Sequence, residues 1–407
     1  MALVGASPAV SADWRQFRGN DRNGAAADAD SRPAPPTHWS ASENVAWKAA
    51  LPGRGTSSPI VVAGRALVTC SSGPRQDRLH VLAFDVATGR LLWERRFWAT
   101  GRTFCHPMTA VATPTPASDG RRVFCYFSSN DLVALDVDGN LLWLRGLGLE
   151  HPQAGNDIGL ASSPLIAGDA VVVQSEGQGD SFAAAFDAAT GATRWQIARP
   201  RGGSWSSPTL LRRVAADDNL VLLQSTSGVT AHDPVTGRQI CSLATACNDI
   251  ASAATVGDVV YLPTSGGVQA LRSPRGATAA EPLWTAPKLS FGAASPVVHA
   301  GRVYTVNRAG VLNCGDAATG AILWQLRLKG AIWGSPAVAG GNMYLVNRDG
   351  VGLVVRLPAN EQAAGAKPSG ELIGEGAIDE PVLASPAIAD GALYIRSDAH
   401  LWKIAAK

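Results

Sequence analysis

Nowhere does the 407-residue chain hold about 18 consecutive apolar residues, so no helix is expected to cross a membrane. Charge of one sign is also missing. Thirty-five Lys and Arg stand against 33 Asp and Glu, for a formal net charge of +2 with no Lys/Arg run. That removes the basic footprint of a nucleic-acid-binding surface. The six cysteines (70, 105, 125, 241, 247 and 314) include no CxxC, no adjacent pair and no metal-ligand spacing. Cys70, Cys125 and Cys314 fall in predicted strands and read as buried thiols. Cys241 and Cys247 are near enough in sequence to pair if the chain is exported. GxSxG and HExxH are absent, although a site built from scattered loops would carry no such motif. A hydrophobic fraction of 46% with 17% charged residues excludes a globally disordered chain.

Residues 1–12 end in Val10-Ser11-Ala12, an acceptable small-residue cleavage pattern, but lack the charged start and apolar stretch of a complete signal peptide. We read them as the remnant of a signal peptide that begins upstream, against a plain unstructured terminus. The chain is therefore expected in the periplasm or cell envelope, with a cytoplasmic location left open.

What the chain does have is a repeat. Phe84–Trp93 reads FDVATGRLLW, Leu135–Trp143 LDVDGNLLW, Phe186–Trp195 FDAATGATRW, His232–Cys241 HDPVTGRQIC and Gly315–Trp324 GDAATGAILW. Its fixed points are Asp85, Asp136, Asp187, Asp233 and Asp316, each with a turn glycine and then Trp93, Trp143, Trp195, Cys241 or Trp324. Each copy is an apolar run, a polar turn ending in Gly, and another apolar run, which is hairpin chemistry. A second signature precedes it. Ser58-Pro59, Thr115-Pro116, Ser163-Pro164, Ser207-Pro208, Ser252-Ala253, Ser295-Pro296, Ser335-Pro336 and Ser385-Pro386 each lead two apolar runs split by a tight turn.

That makes eight units, spaced 40 to 57 residues apart, each with four short strand-like runs. A four-stranded unit repeated at this pitch predicts an all-β, eight-bladed β-propeller of antiparallel blades, in preference to a solenoid, whose units are shorter and need capping repeats. The last unit stops one strand short, whereas Asn44–Lys48 is an orphan strand with Trp47 at the repeat position. So the N-terminal strand 44–50 should complete the last blade. Residues 13–43 then form an extended segment and 44–407 a single propeller. The Trp series is 47, 93, 143, 195, 284 and 324, with Cys241 and Ile373 standing in, and these rings are expected as plates packed between blades. Leu357–Gly370 reads as a loop insertion in blade 7, and Ala25–Pro36 as a linker over the surface.

Strand order places the turns between second and third strands on the same face as the linkers between blades. These pieces are long, charged and aromatic, whereas the other face has short glycine turns, so binding is expected on the looped face near the axis. The candidates are Arg54, Arg102, His106, Asp157, Trp205, Asp249, Arg308, Trp333 and Arg348. Asp157 and Asp249 lie in matching Asn-Asp-Ile triplets, explained by common descent as readily as by metal binding.

With its Asp187, Thr190, Gly191 and Trp195 spacing, the repeat resembles that of the quinoprotein-type (PQQ-like) eight-bladed propellers over residues 44–407. Trp14–Gly19, with Arg22 and Gly24, resembles the opening of exported bacterial PQQ-like repeat proteins. The enzymes of this family imply PQQ, Ca²⁺ and an adjacent cysteine pair, which this chain lacks. The non-catalytic branch, BamB-like, implies a scaffold in outer-membrane protein assembly. No Cys stands near residue 13 to take a lipid, so the scaffold role carries over without a membrane anchor. The resemblance thus favours a monomeric, non-catalytic propeller without cofactor or metal, binding a protein partner on its looped face. A carbohydrate or small molecule in the axial funnel, stacked on Trp205 and Trp333, and a PQQ/Ca-dependent dehydrogenase are the alternatives.

Overall fold

A residue that precedes proline is pushed out of the helical region into extended backbone, and each hydroxyl-proline step opens the innermost strand of a blade. Ser163-Pro164 leads into Leu165–Ala167, followed by Ala170–Ser175, Phe182–Asp187 and Thr193–Ala198, paired in that order. The second and third strands are buried almost throughout because a neighbouring blade covers each of their faces, and only the outermost alternates. The computed structural model describes residues 13–26, 33–213, 218–273, 279–358 and 369–406. The expected signal-peptide remnant and residues 359–368 of the blade 7 insertion lie outside these.

Eight four-stranded antiparallel sheets form the ring. Blades 1 to 7 span 60–98, 117–146, 165–198, 209–244, 254–286, 297–327 and 337–377. Blade 8 takes three strands from 387–404 and its fourth from Val45–Ala50, which pairs antiparallel with His400–Ile404. The expected closure is thus observed.

Five of the six repeat tryptophans obey a rule that links neighbours; the sixth, Trp324, lies over Gly370 of blade 7, and its indole N–H has no partner among the described residues. The indole N–H of Trp93 donates to Val137 O (3.1 Å), that of Trp143 to Ala188 O (3.2 Å), and that of Trp195 to Pro234 O (2.9 Å). Trp47 and Trp284 do the same to Val86 O and Ala317 O. Each acceptor belongs to the Asp-to-Gly turn of the following blade, and the glycine of that turn lies flat under the ring. A Cβ at Gly89, Gly139, Gly191, Gly237 or Gly320 would come within 2.5–2.7 Å of the indole, and each has φ between +70° and +84°. Glycine is therefore required twice over, for the turn and for the plate.

At two positions the plate is absent. In blade 4 it is replaced by Cys241, whose Sγ lies 3.6 Å from Ser273 Oγ, and the sequence of blade 5 carries no Asp-x-x-Thr-Gly between its third and fourth strands. Blade 8 has no covalent turn at the corresponding place, because its third and fourth strands come from distant parts of the chain. The residue at the Trp position of blade 7 is Gly374, not Ile373. Gly374 opposes Val354 ahead of a bulge, as Trp93 opposes Ala83. The bulge shifts the register by one residue. Thr37 O would lie 1.9 Å from a Cβ at Gly374, and Trp39, 1% exposed, fills the gap over Gly352 and Gly376. The N-terminal segment thus supplies a plate where blade 8 has no turn glycine to receive one.

The N-terminal segment is also more buried than a surface linker. Residues 13–26 cross the face opposite the long loops as a strap. Trp14 pairs with Val61 of blade 1, Arg15 O accepts from Ser118 N of blade 2, and Asn23 O accepts from Val298 N of blade 6. Ala25 and Ala26, expected at the surface, are buried, and Ala25 bridges Val338 of blade 7. Cys241 and Cys247 form no disulfide, and all six cysteines are free thiols. Cys241 and Cys247 pack instead among the apolar side chains between blades 4 and 5.

In the turns, Asp187 Oδ1 accepts from Ala189 N, Thr190 N and Thr190 Oγ1 at 2.9–3.0 Å, and Asp233 and Asp85 repeat this pattern. The Arg194 guanidinium, then the Thr190 donors, hold the Asp187 carboxyl well below the usual carboxylate range. A depressed carboxylate stabilises the fold above its unfolded pKa of about 3.9, and that contribution fades as pH falls through the folded value. Asp187→Asn should therefore flatten the loss of stability measured by urea unfolding below about pH 4. Trp143→Ala should cost about 3–5 kcal/mol by the same assay. Cys241→Trp should overpack the apolar cluster between blades 4 and 5 and cost about 1–3 kcal/mol by the same assay.

Candidate functional site

The eight hydroxyl residues that lead the blades meet around the axis. Ser58 N donates to Thr115 Oγ1 (2.9 Å), Thr115 N to Ser163 Oγ (3.0 Å), and Ser163 N to Ser207 Oγ (2.9 Å). Ser207 N to Ser252 Oγ (2.9 Å), Ser252 N to Ser295 Oγ (2.9 Å) and Ser295 N to Ser335 Oγ (3.0 Å) continue the series. Ser335 N to Ser385 Oγ (2.8 Å) and Ser385 N to Ser58 Oγ (3.1 Å) close it. Blade 5 keeps the serine although it has lost the proline, which marks the hydroxyl as the required group.

Above this belt the linkers form a funnel of about 340 Å³. Phe17 of the strap closes its floor; His106, Ile158, Leu160, Trp205 and Trp333 are among its walls. Three candidates from distant linkers, His106, Trp205 and Trp333, thus converge. Trp205 is fixed by its indole N–H to Gly159 O (2.7 Å) and its backbone N–H to Asp249 O (2.6 Å). His106 donates its backbone N–H to Ile158 O (2.9 Å), and its Nδ1 accepts from Met108 N (3.1 Å).

The remaining candidates line no part of the funnel. Arg54 pairs with Asp398 (3.2 Å) and donates to Pro107 O (3.1 Å), while Arg102 pairs with Asp157 (3.4 Å). Arg308 and Arg348 are exposed in their turns. The two Asn-Asp-Ile triplets are alike in structure: Asn156 and Asn248 each accept the backbone N–H of the following Ile, at 3.1 and 2.9 Å. The asparagine shapes the turn.

Sequence reasoning missed the belt, because each bond joins residues 40 to 57 positions apart, or 327 at the closure. Phe17 was missed because nothing local marks a strap residue as a funnel floor. A buried pair also escaped notice. Glu176 accepts from Arg199 Nε at 2.8 Å, and burial pushes its carboxyl up to about 7 against the pull of Arg199. Among the described residues, no three His, Cys, Asp or Glu side chains form a metal-ligand cluster. PQQ is a tricarboxylate and calcium takes several oxygen ligands, many of them carboxylates. The funnel offers hydroxyls, apolar groups and one imidazole, with no carboxylate and no cationic side chain. The residues present do not fit that pair.

A family model described as outer membrane protein assembly factor BamB matches residues 37–159, 157–271 and 264–362. No curated protein matches the chain. Among solved structures, BamB from Moraxella catarrhalis superposes with a TM-score of 0.61 at 18% identity, covering 89% of this chain and 97% of that one. Quinohemoprotein alcohol dehydrogenase from Comamonas testosteroni gives 0.66 at 14% identity, covering 99% and 82%. A europium-containing methanol dehydrogenase gives 0.63 at 13%, covering 94% and 89%. At these identities the solved structures establish the shared propeller fold and nothing further.

Ser295→Ala should leave the buried Ser252 N–H without an acceptor and cost about 1–3 kcal/mol in urea unfolding, whereas Ser295→Thr should restore most of it. PQQ with calcium should leave Tm unchanged in a thermal melt. A concentration-dependent rise would overturn the mismatch argued from the funnel lining.

Proposed function

The chain belongs to the family described as outer membrane protein assembly factor BamB, and from that premise we propose a non-catalytic binding propeller of the cell envelope whose looped face receives a protein partner. The family description concerns assembly of other proteins, so a partner that is itself a protein is the natural extension. The observation that carries the proposal is a group of large apolar side chains left in solvent on that face. Trp98, Phe104 and Leu149 are 66%, 63% and 69% exposed. Their two segments adjoin, since Gly101 and Gly148 pack backbone to backbone and Arg102 pairs with Asp157 across them. Exposed aromatics bordered by arginine ion pairs have the composition of an interface hot spot with a polar rim.

The funnel supports a second reading. Its volume falls within the usual range for ligand pockets. Apolar walls with two tryptophans above a ring of hydroxyls suit a small neutral molecule with an apolar face, a sugar included. Such a ligand would enter from the same looped face.

A photo-crosslinking residue at position 104, compared with one at exposed Val235 on the opposite face, separates the two readings in cells. A discrete protein adduct from 104 and none from 235 supports the protein interface. In that case Trp98→Ala with Leu149→Ala should reduce the adduct about tenfold or more, as expected for losing hot-spot anchors. Equal labelling at both positions, or none, would overturn the proposal.

A further inference from the structure

Beneath the belt, the strap brings two arginines into the ring. Arg18 is 3% exposed and Arg22 9%. Arg18 donates to three carbonyl oxygens: Ser252 O (3.0 Å), Ala253 O (3.1 Å) and Arg22 O. Arg22 Nη2 donates to Ile166 O (3.1 Å). Among the described residues neither guanidinium forms an ion pair, and Asp21, the adjacent acid, pairs with exposed Arg212 at 3.2 Å. Burial and the charge of Arg22 push Arg18 down to about 9; burial, then the charge of Arg212, pushes Arg22 down to about 10, with Asp21 offsetting part of the effect on Arg22.

Both arginines line a separate cavity of about 20 Å³, together with Gln16, Phe17 and the starts of blades 3, 4 and 5. Two buried polar atoms of its lining residues, Arg22 Nε and Thr209 Oγ1, have no hydrogen-bond partner among the described residues. Both can donate. The residues around the cavity therefore carry two buried positive charges and two unassigned donors, and the space between them has room for about one water-sized particle. Asp21 offsets only part of this charge; buried charge incompletely compensated is costly, and a buried donor left unpaired adds to that cost. Water would satisfy the donors but not the charge; phosphate or a carboxylate ligand is too large.

We infer that this cavity is a binding site for one monatomic anion, chloride under physiological conditions. The ion lies between the strap and the inner ends of blades 3 to 5, so it fastens the funnel floor to the ring. The inference does not depend on what the looped face binds.

Two measurements on the full chain test it. Crystals soaked in sodium bromide should show an anomalous peak in the cavity lined by Arg18, Arg22 and Thr209. Thermal melts at constant ionic strength should give a Tm about 2–4 °C higher in 0.2 M sodium chloride than in sodium gluconate. Arg22→Gln should abolish that difference, which removes general salt effects from the comparison. If Arg22→Gln does not fold, the bromide map decides alone. An empty cavity in the bromide map, or the same chloride dependence in wild type and variant, would overturn the assignment.

Discussion

A closed circuit of eight backbone-to-hydroxyl hydrogen bonds holds the inner ends of the blades at one radius. Each bond joins one blade to the next, so no blade satisfies its own leading N–H, and the circuit is complete only when all eight are present. A single such bond contributes about 1 kcal/mol net, but a buried N–H left open costs more than that. The constraint therefore acts mainly by penalising incomplete rings, and it fixes the diameter of the funnel above. Every wall residue of that funnel hangs from a linker whose end the belt has already placed.

The outer rim is held by a different device, the indole laid on the next blade's turn glycine. That device was legible in the sequence as a repeat, since Asp, Gly and Trp recur at fixed offsets and the turn chemistry is local. Its direction was not legible. Only the structure reveals that the Trp of one repeat belongs with the glycine of the following one. Cys241 faces a blade whose sequence lacks the Asp-x-x-Thr-Gly turn, and Gly374 faces one whose third and fourth strands have no covalent connection. At blade 7 a bulge displaces the register by one residue, so apolar character alone points to Ile373 where the structure has Gly374.

The candidate site was legible to a similar depth. His106, Trp205 and Trp333 come together because every linker must return from the rim to the axis, a consequence of topology that needs no coordinates. Arg54, Arg102, Arg308 and Arg348 share the looped face but stand outside the funnel, since long charged side chains keep their heads in water. Phe17, Trp39 and Arg18 could not have been placed. Their partners lie in blades hundreds of residues away, and neither periodicity nor spacing records such contacts.

The closure of blade 8 sets an order of events during synthesis. Val45–Ala50 pairs with His400–Ile404, and the strap before it rests on blades that are made later. The strand that precedes the first blade is thus paired only when the last blade arrives. Until the final blade exists, Val45–Ala50 has no strand to pair with, and the nascent chain carries two unpaired sheet edges. Long-range pairing of this kind is slow and leaves such surfaces open to other chains in the interval.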